Sequence, residues 1–152
     1  MKELILLAGI PASGKTTLSW KLAPLFNIKE VHCTDNVYQA IGDHLSLKNF
    51  PNPNVWKSEK QDKVVKLKED FYKKMLPLND RVFLEGYGLM FVEDRAIIED
   101  IYKGYNLTYL YKHVEYSEWL NQKGVLDCEK RKGEYDYLIQ IASINNKSIK
   151  IL

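Results

Sequence analysis

The run Gly9-Ile10-Pro11-Ala12-Ser13-Gly14-Lys15-Thr16 sets two glycines, a lysine and a hydroxyl at the spacing G-x-x-x-x-G-K-[ST], and the chemistry of that spacing is to hold a chain of phosphates. Glycines let backbone N–H groups turn inward around phosphate oxygens, and a helix starting just behind them presents its positive dipole end to the same charge. Lys15 supplies a mobile cation for the β and γ phosphates, and Thr16 offers its hydroxyl to Mg2+. Gly9, Pro11, Ala12, Ser13, Gly14 and Thr17 complete the expected nucleotide contacts. The plainer reading is a glycine turn into a helix with Lys15 merely solvated. Which holds depends on the flanking elements.

Those elements agree with the phosphate reading. Leu4 to Ala8 is a short, continuously apolar run, as expected of a strand buried on both faces of a parallel sheet. A helix is predicted from about Lys15 through Leu18 and Leu22 until Pro24 stops or kinks it. Glu30 to Cys33 reads as a second strand, and Thr34, Asp35 and Asn36 as capping residues for a helix to about Ile41. Pro51 and Pro53 mark a loop. Beyond it Val64, Leu67, Phe71 and Met75 recur at helical spacing until Pro77. Arg81 to Glu85 reads as a third strand, with Gly86 and Gly88 turning the chain into a helix from about Val92 to Tyr102. Leu107 to Val114 is a fourth strand, Tyr116 to Asn145 is helical with breaks at Gly124 and Gly133, and Ser148 to Leu152 is a last strand. Strands alternating with helices predict a three-layer α/β fold of the P-loop NTPase, kinase-type class. Its central parallel sheet is expected to have about five strands in a single domain spanning 1–152.

Composition sets few limits. Apolar residues at 45% and charged residues at 28% are those of an ordinary globular chain, and a net charge of +2 does not select nucleic acid as partner. Cys33 and Cys128 have no CxxC or Cys/His spacing for zinc, which fits reduced thiols in a cytoplasmic protein. The N-terminal apolar run is too short for a signal peptide or a membrane span. An Asn-Lys-x-Asp segment would read guanine, but Asn146-Lys147-Ser148-Ile149 lacks the aspartate, so ATP is the expected nucleotide. A carboxylate just beyond the second strand, Asp35, suits a small kinase.

With these motifs the chain resembles the small P-loop kinases that include the kinase domain of phage-type polynucleotide kinase, along with related phage and bacterial kinases. Gly-x-Pro-x-Ser-Gly-Lys-Thr is close to that family's loop, and Thr34-Asp35-Asn36 sits where the family carries its general-base aspartate. Glu85 follows the third strand, where the family has an acidic residue. Lys130-Arg131-Lys132-Gly133 resembles its basic lid, which implies a helical lid near 121–135, and Tyr116 to Leu120 resembles the helix leading there. The family's arginine for an acceptor phosphate is matched here by Tyr38, which favours an acceptor lacking that phosphate.

The resemblance implies an ATP- and Mg2+-dependent phosphotransferase acting on a hydroxyl of a nucleic acid (DNA or RNA), a modified base or a nucleoside. The alternatives are a small-metabolite kinase of the gluconate or shikimate type and a non-catalytic nucleotide-binding switch. In the enzyme readings Lys15, Asp35 and Arg131 are catalytic. Asp35 takes the acceptor proton, or instead caps a helix. Thr16 and Glu85 are the metal-side residues, with Glu85 on a Mg2+-bound water or, alternatively, orienting the acceptor or pairing with a cation. Arg131 stabilises transferring charge or belongs to a solvated basic turn. Arg95 is expected to pair with Glu99, and His113 to be packed and hydrogen-bonded in its strand. The tyrosines are expected to serve mainly in packing. Both monomer and dimer are left open.

Overall fold

The computed structural model describes residues 1–46, 61–145 and 150–151, with side chains over 1–46 and 65–142. Its centre is β1 (Glu3–Ala8), in which Leu4, Ile5, Leu6 and Leu7 are each at most 1% exposed. Side chains alternate across a strand, so Leu4, Leu6 and Ala8 enter one core while Ile5 and Leu7 enter a second on the opposite face. Taking each large apolar side chain out of water stabilises the fold by roughly 1.5–3 kcal/mol. A strand this apolar belongs in the middle of a sheet, and β1 pairs in parallel with β3 (Arg81–Gly86) on one side and β4 (Asn106–Tyr111) on the other. Short β2 (Val31–Cys33) lies beyond β3 with Cys33 opposite Glu85, and the two-residue β5 (Lys150–Ile151) runs along β4. The order across the sheet is β2-β3-β1-β4-β5.

The two faces are covered unequally. On one, α1 (Lys15–Leu22) and a 3-10 turn over Ala23–Phe26 bring Leu18, Leu22, Ala23 and Phe26 onto Ile5, Leu7 and Phe83. Pro24 falls in that turn, where its missing N–H costs nothing. The larger core of the other face takes residues from α2 (Thr34–His44), α3 (Gln61–Met75), a 3-10 turn over Tyr87–Met90 and α4 (Val92–Ile101). It also takes residues of α5 (Tyr116–Lys123) and α6 (Glu129–Asn145). Helix, sheet and helix make the three layers expected of the class. Among the described residues no helix is long and apolar enough to cross a membrane.

Several local expectations are corrected. Helix α2 already includes Thr34, and the cap position is Cys33 with no side-chain cap bond, so Thr34, Asp35 and Asn36 form the first turn instead of capping it. Gly124 ends α5 in the left-handed region, but Gly133 lies inside α6 and breaks nothing. On α3 the deeply buried stripe is Lys68, Tyr72 and Leu76, while Met75 is exposed. Strand β4 ends at Tyr111, so His113 stands outside it, half-buried, with Nε2 3.1 Å from Glu115 Oε1. The loop with Pro51 and Pro53 and the run Asn146 to Ile149 lie outside the described residues. Of the last predicted strand, Lys150 and Ile151 are in β5.

Candidate active site

Ligands of open parallel sheets gather beyond the carboxyl ends of the strands, and the sequence-predicted residues collect there. The loop 9–14 leaves the end of β1, with Ala12 at φ +61° and Gly14 at φ +83° making the turn into α1. A Cβ on Gly9 would lie 2.7 Å from Ser13 Oγ and 3.2 Å from the Lys112 carbonyl, so the loop closes only around a glycine. Lys15 is buried, its Nζ donating to the Ile10 carbonyl at 3.3 Å across the mouth of the loop. Thr17 is exposed on the first turn of α1.

Thr16 and Glu85 meet. The Thr16 hydroxyl donates to Glu85 Oε1 at 3.2 Å, across 69 positions of sequence. Glu85 is 1% exposed on the penultimate position of β3. Asp35 is two residues past Cys33, the β2 partner of Glu85, which brings both carboxylates to the same edge. Burial first, and then the charges of Asp35 and Glu85, push the Cys33 thiol up to about 12, so it stays neutral between them.

Buried polar atoms are normally hydrogen-bonded. Among the described residues four buried side-chain oxygens have no partner: Ser13 Oγ, Thr34 Oγ1, Asp35 Oδ1 and Glu85 Oε2. All four lie in the loop or at the ends of β2 and β3. Together with a glycine cradle, a lysine and a hydroxyl–carboxylate pair, they form a donor set that fits a phosphate chain with a hard divalent cation.

Gly86 fixes the spacing behind this edge. It ends β3 at φ +149°, and a Cβ there would lie 2.0 Å from Thr34 Oγ1. Thr34 packs directly on the β3 backbone, so the first turn of α2 is held against the strand that carries Glu85.

Across the loop, Trp119 of α5 is fully buried and donates from Nε1 to the Pro11 carbonyl at 3.0 Å, tying the helix to the loop. The Trp119 ring stacks with Tyr116 and tilts against Tyr135, and Lys123 Nζ sits 4.8 Å from its centre. Arg131 is in the first turn of α6, its Nη1 donating to both oxygens of Glu134 at 3.2 Å, and Glu134 also pairs with Lys123 at 3.5 Å. Arg131 thus connects to the loop through Glu134, Lys123 and Trp119, not by a contact of its own. Arg95 lies over the Tyr109 ring, and Tyr109 donates its hydroxyl to Glu99.

The sequence matches no family model and no curated protein. Solved structures do match. Shikimate kinase from Acinetobacter baumannii in complex with shikimate superposes with a TM-score of 0.60 at 16% identity, over 99% of this chain and 82% of that one. The fold is that of the small P-loop kinases. Shikimate kinase from Bacteroides thetaiotaomicron gives a TM-score of 0.58 at 14% identity, covering 98% of this chain and 83% of that one. A gluconokinase from Sinorhizobium meliloti 1021 gives 0.60 at 10% identity, over 99% and 80%. These matches narrow the resemblance to phage-type polynucleotide kinase down to the shared small-kinase fold, and they give no support to a nucleic-acid specificity.

Sequence reasoning missed a second cluster, directly behind the Asp35 turn. Asp94 of α4 is 0% exposed, and its Oδ1 accepts from Lys68 Nζ at 2.9 Å. Its Oδ2 accepts from Tyr72 at 2.7 Å and from Tyr38. Tyr38, the residue matched in sequence to the family's arginine, is therefore fully buried against Asp94. Burial, followed by the other charges and hydroxyls of the cluster, raises the phenols of Tyr38 and Tyr72 well above their ordinary value. A charged residue in the stripe of an amphipathic helix, Lys68 between Leu67 and Phe71, is the only sequence signal of it.

Proposed function

We propose that the chain is a phosphotransferase that moves the γ phosphate of ATP, with Mg2+, onto the hydroxyl of a small acceptor molecule. The carrying observation is the collection of unpartnered buried oxygens of Ser13, Thr34, Asp35 and Glu85 along one sheet edge beside the phosphate loop. A switch that only binds nucleotide has no use for two carboxylates left open there. In this reading the loop N–H groups and Lys15 hold the phosphates, and Thr16 and Glu85 hold Mg2+, directly or through water. The bound ion neutralises phosphate charge. Asp35 accepts the proton from the acceptor hydroxyl as its oxygen attacks the γ phosphorus, and the bond from that phosphorus to the β,γ-bridging oxygen breaks with ADP as the leaving group. The cap role that competed for Asp35 has gone, because Cys33 occupies that position. Arg131 would reach the transferring phosphate only by exchanging Glu134 for it.

A small acceptor is favoured over a polynucleotide on two grounds. The structural neighbours named above are a gluconokinase and shikimate kinases. The position where a polynucleotide kinase carries its phosphate-holding arginine is the buried Tyr38. The test is transfer from γ-labelled ATP with Mg2+ to shikimate, gluconate, nucleosides and 5′-hydroxyl oligonucleotides, with Asp35→Asn as control. Labelling of a small alcohol, lost in Asp35→Asn while ATP still binds, is the expected result. Labelling of oligonucleotides alone restores the polynucleotide reading, and ATP binding with neither transfer nor hydrolysis points to the switch.

A further inference from the structure

We propose that Asp94 is a positioning residue for Asp35, acting through Tyr38 and the backbone of the turn after β3; this rests on Asp35 being the base. The carboxylate gathers three helices at one point: Tyr38 from α2, Lys68 and Tyr72 from α3, and its own α4. Lys68 is 2% exposed and Nζ lies 5.5 Å from the Tyr38 ring centre, so the cation sits against that phenol as well as the carboxylate. The cluster also touches the site. A Cβ on Gly88 would lie 3.1 Å from both the Tyr38 and Tyr72 hydroxyls and 3.2 Å from Thr34 Oγ1, so the phenols and Thr34 line one surface of the Tyr87–Met90 turn. Thr34 and Tyr38 are one helical turn apart and Asp35 lies between them. Thr34 is packed on Gly86 and Tyr38 is hydrogen-bonded to Asp94, so the backbone of the first turn of α2, which carries Asp35, is held at both ends.

A merely structural network would keep the fold and leave turnover alone, whereas a positioning one sets kcat. Two alterations leave no buried charge unpaired: Tyr38→Phe removes one hydroxyl, and Lys68→Met with Asp94→Leu removes both charges together, though it also takes the acceptor from the Tyr38 and Tyr72 hydroxyls. Hydrogen exchange on the full chain reads amides 37–41, the first that bond within α2. Both alterations are expected to speed that exchange at least about 10-fold while β1 and α1 keep theirs. Magnesium-ATP hydrolysis, with water as the acceptor probe, reads the consequence. Tyr38→Phe is expected to lower kcat about 10-fold with the KM for ATP within about 2-fold, and to have almost no further effect in the Asp35→Asn background. Unchanged exchange in α2, unchanged kcat despite faster exchange, or losses that add in the double variant would each overturn the proposal. Hydrolysis undiminished in Asp35→Asn alone is a different failure: it removes Asp35 as base, and the exchange result still decides whether Asp94 holds α2.

Discussion

The phosphate loop and the wall behind Asp35 are built on opposite plans. The loop is local: eight successive residues, two of them in left-handed backbone between a strand and a helix, arrange N–H groups that every residue carries. The wall is remote: Tyr38, Lys68, Tyr72 and Asp94 come from three helices and meet through side chains alone. A backbone device tolerates changes elsewhere in the chain, since its donors are fixed by φ and ψ. A side-chain device depends on each member, because losing one removes a buried hydrogen bond that the others share.

The largest expected effect follows from that dependence. Asp94→Ala removes the buried carboxylate shared by Lys68, Tyr38 and Tyr72, and removing one member of a buried ion pair costs about 3–5 kcal/mol. Urea unfolding should show the midpoint collapse for Asp94→Ala and a smaller fall for Lys68→Met with Asp94→Leu, which removes the charges but still takes the acceptor from the Tyr38 and Tyr72 hydroxyls. If the two variants unfold alike, the wall is held by packing and not by its charges, and the contrast with the loop fails.

Lys15→Met examines the other plan. The lysine donates to the loop's own Ile10 carbonyl, so its loss leaves the fold intact and acts on the phosphates. Deleting one preorganised donor to developing charge lowers turnover by roughly 100- to 1000-fold. The measurement is magnesium-ATP turnover beside a thermal melt. A large fall in melting temperature would mean that the lysine holds the loop together as well.

The same contrast explains what the sequence revealed. Leu4 to Ala8, the glycine spacing and the Pro24 stop are local signals, and each matches the observed β1, loop and α1 to within a residue or two. Glu85 was legible because it ends a strand, and Asp35 because it follows one. The start of α2 was misread because Thr, Asp and Asn favour cap positions, yet Gly86 draws Thr34 onto β3 and begins the helix one residue earlier than a cap at Thr34 would. Asp94 was hidden because an acidic residue in the first turn of a helix is ordinary on a surface, and nothing in its neighbours reveals Lys68, 26 positions away. Arg131 stands out in sequence as part of the basic run 130–132, but nothing in that run singles out Glu134, three positions on, as its partner.

Trp119 is where the loop borrows from the remote plan. Its indole N–H is the attachment of α5 to the Pro11 carbonyl, and Trp119→Phe keeps most of the ring while leaving that carbonyl without its donor. The expected cost is about 0.5–1.5 kcal/mol in chemical denaturation, the range for one hydrogen bond lost at a part-buried site. Weaker ATP binding should accompany it. Unaltered ATP affinity would show that the loop is self-sufficient and the contrast sharper than drawn here.

The smallest effect is expected at Glu134. Partial burial pushes its carboxyl upward, but Arg131 and Lys123 outweigh that and hold it below its ordinary 4.5. A group lowered in the folded chain contributes stability that is fully present above its unfolded value and is lost as the pH falls through the folded one. The advantage of native protein over Glu134→Gln should therefore be constant near neutral pH and shrink from 4.5 downward. These side chains are about a third exposed, so solvent screening keeps it below about 1 kcal/mol. Turnover should move the other way. In Glu134→Gln the Arg131 guanidinium no longer has a charged carboxylate holding it, and if Arg131 serves the transferring phosphate, the KM for ATP falls or kcat rises. Unchanged kinetics in that variant, together with unchanged kinetics in Arg131→Ala, would leave the basic turn with a surface role and confine the chemistry to the loop and the carboxylate edge.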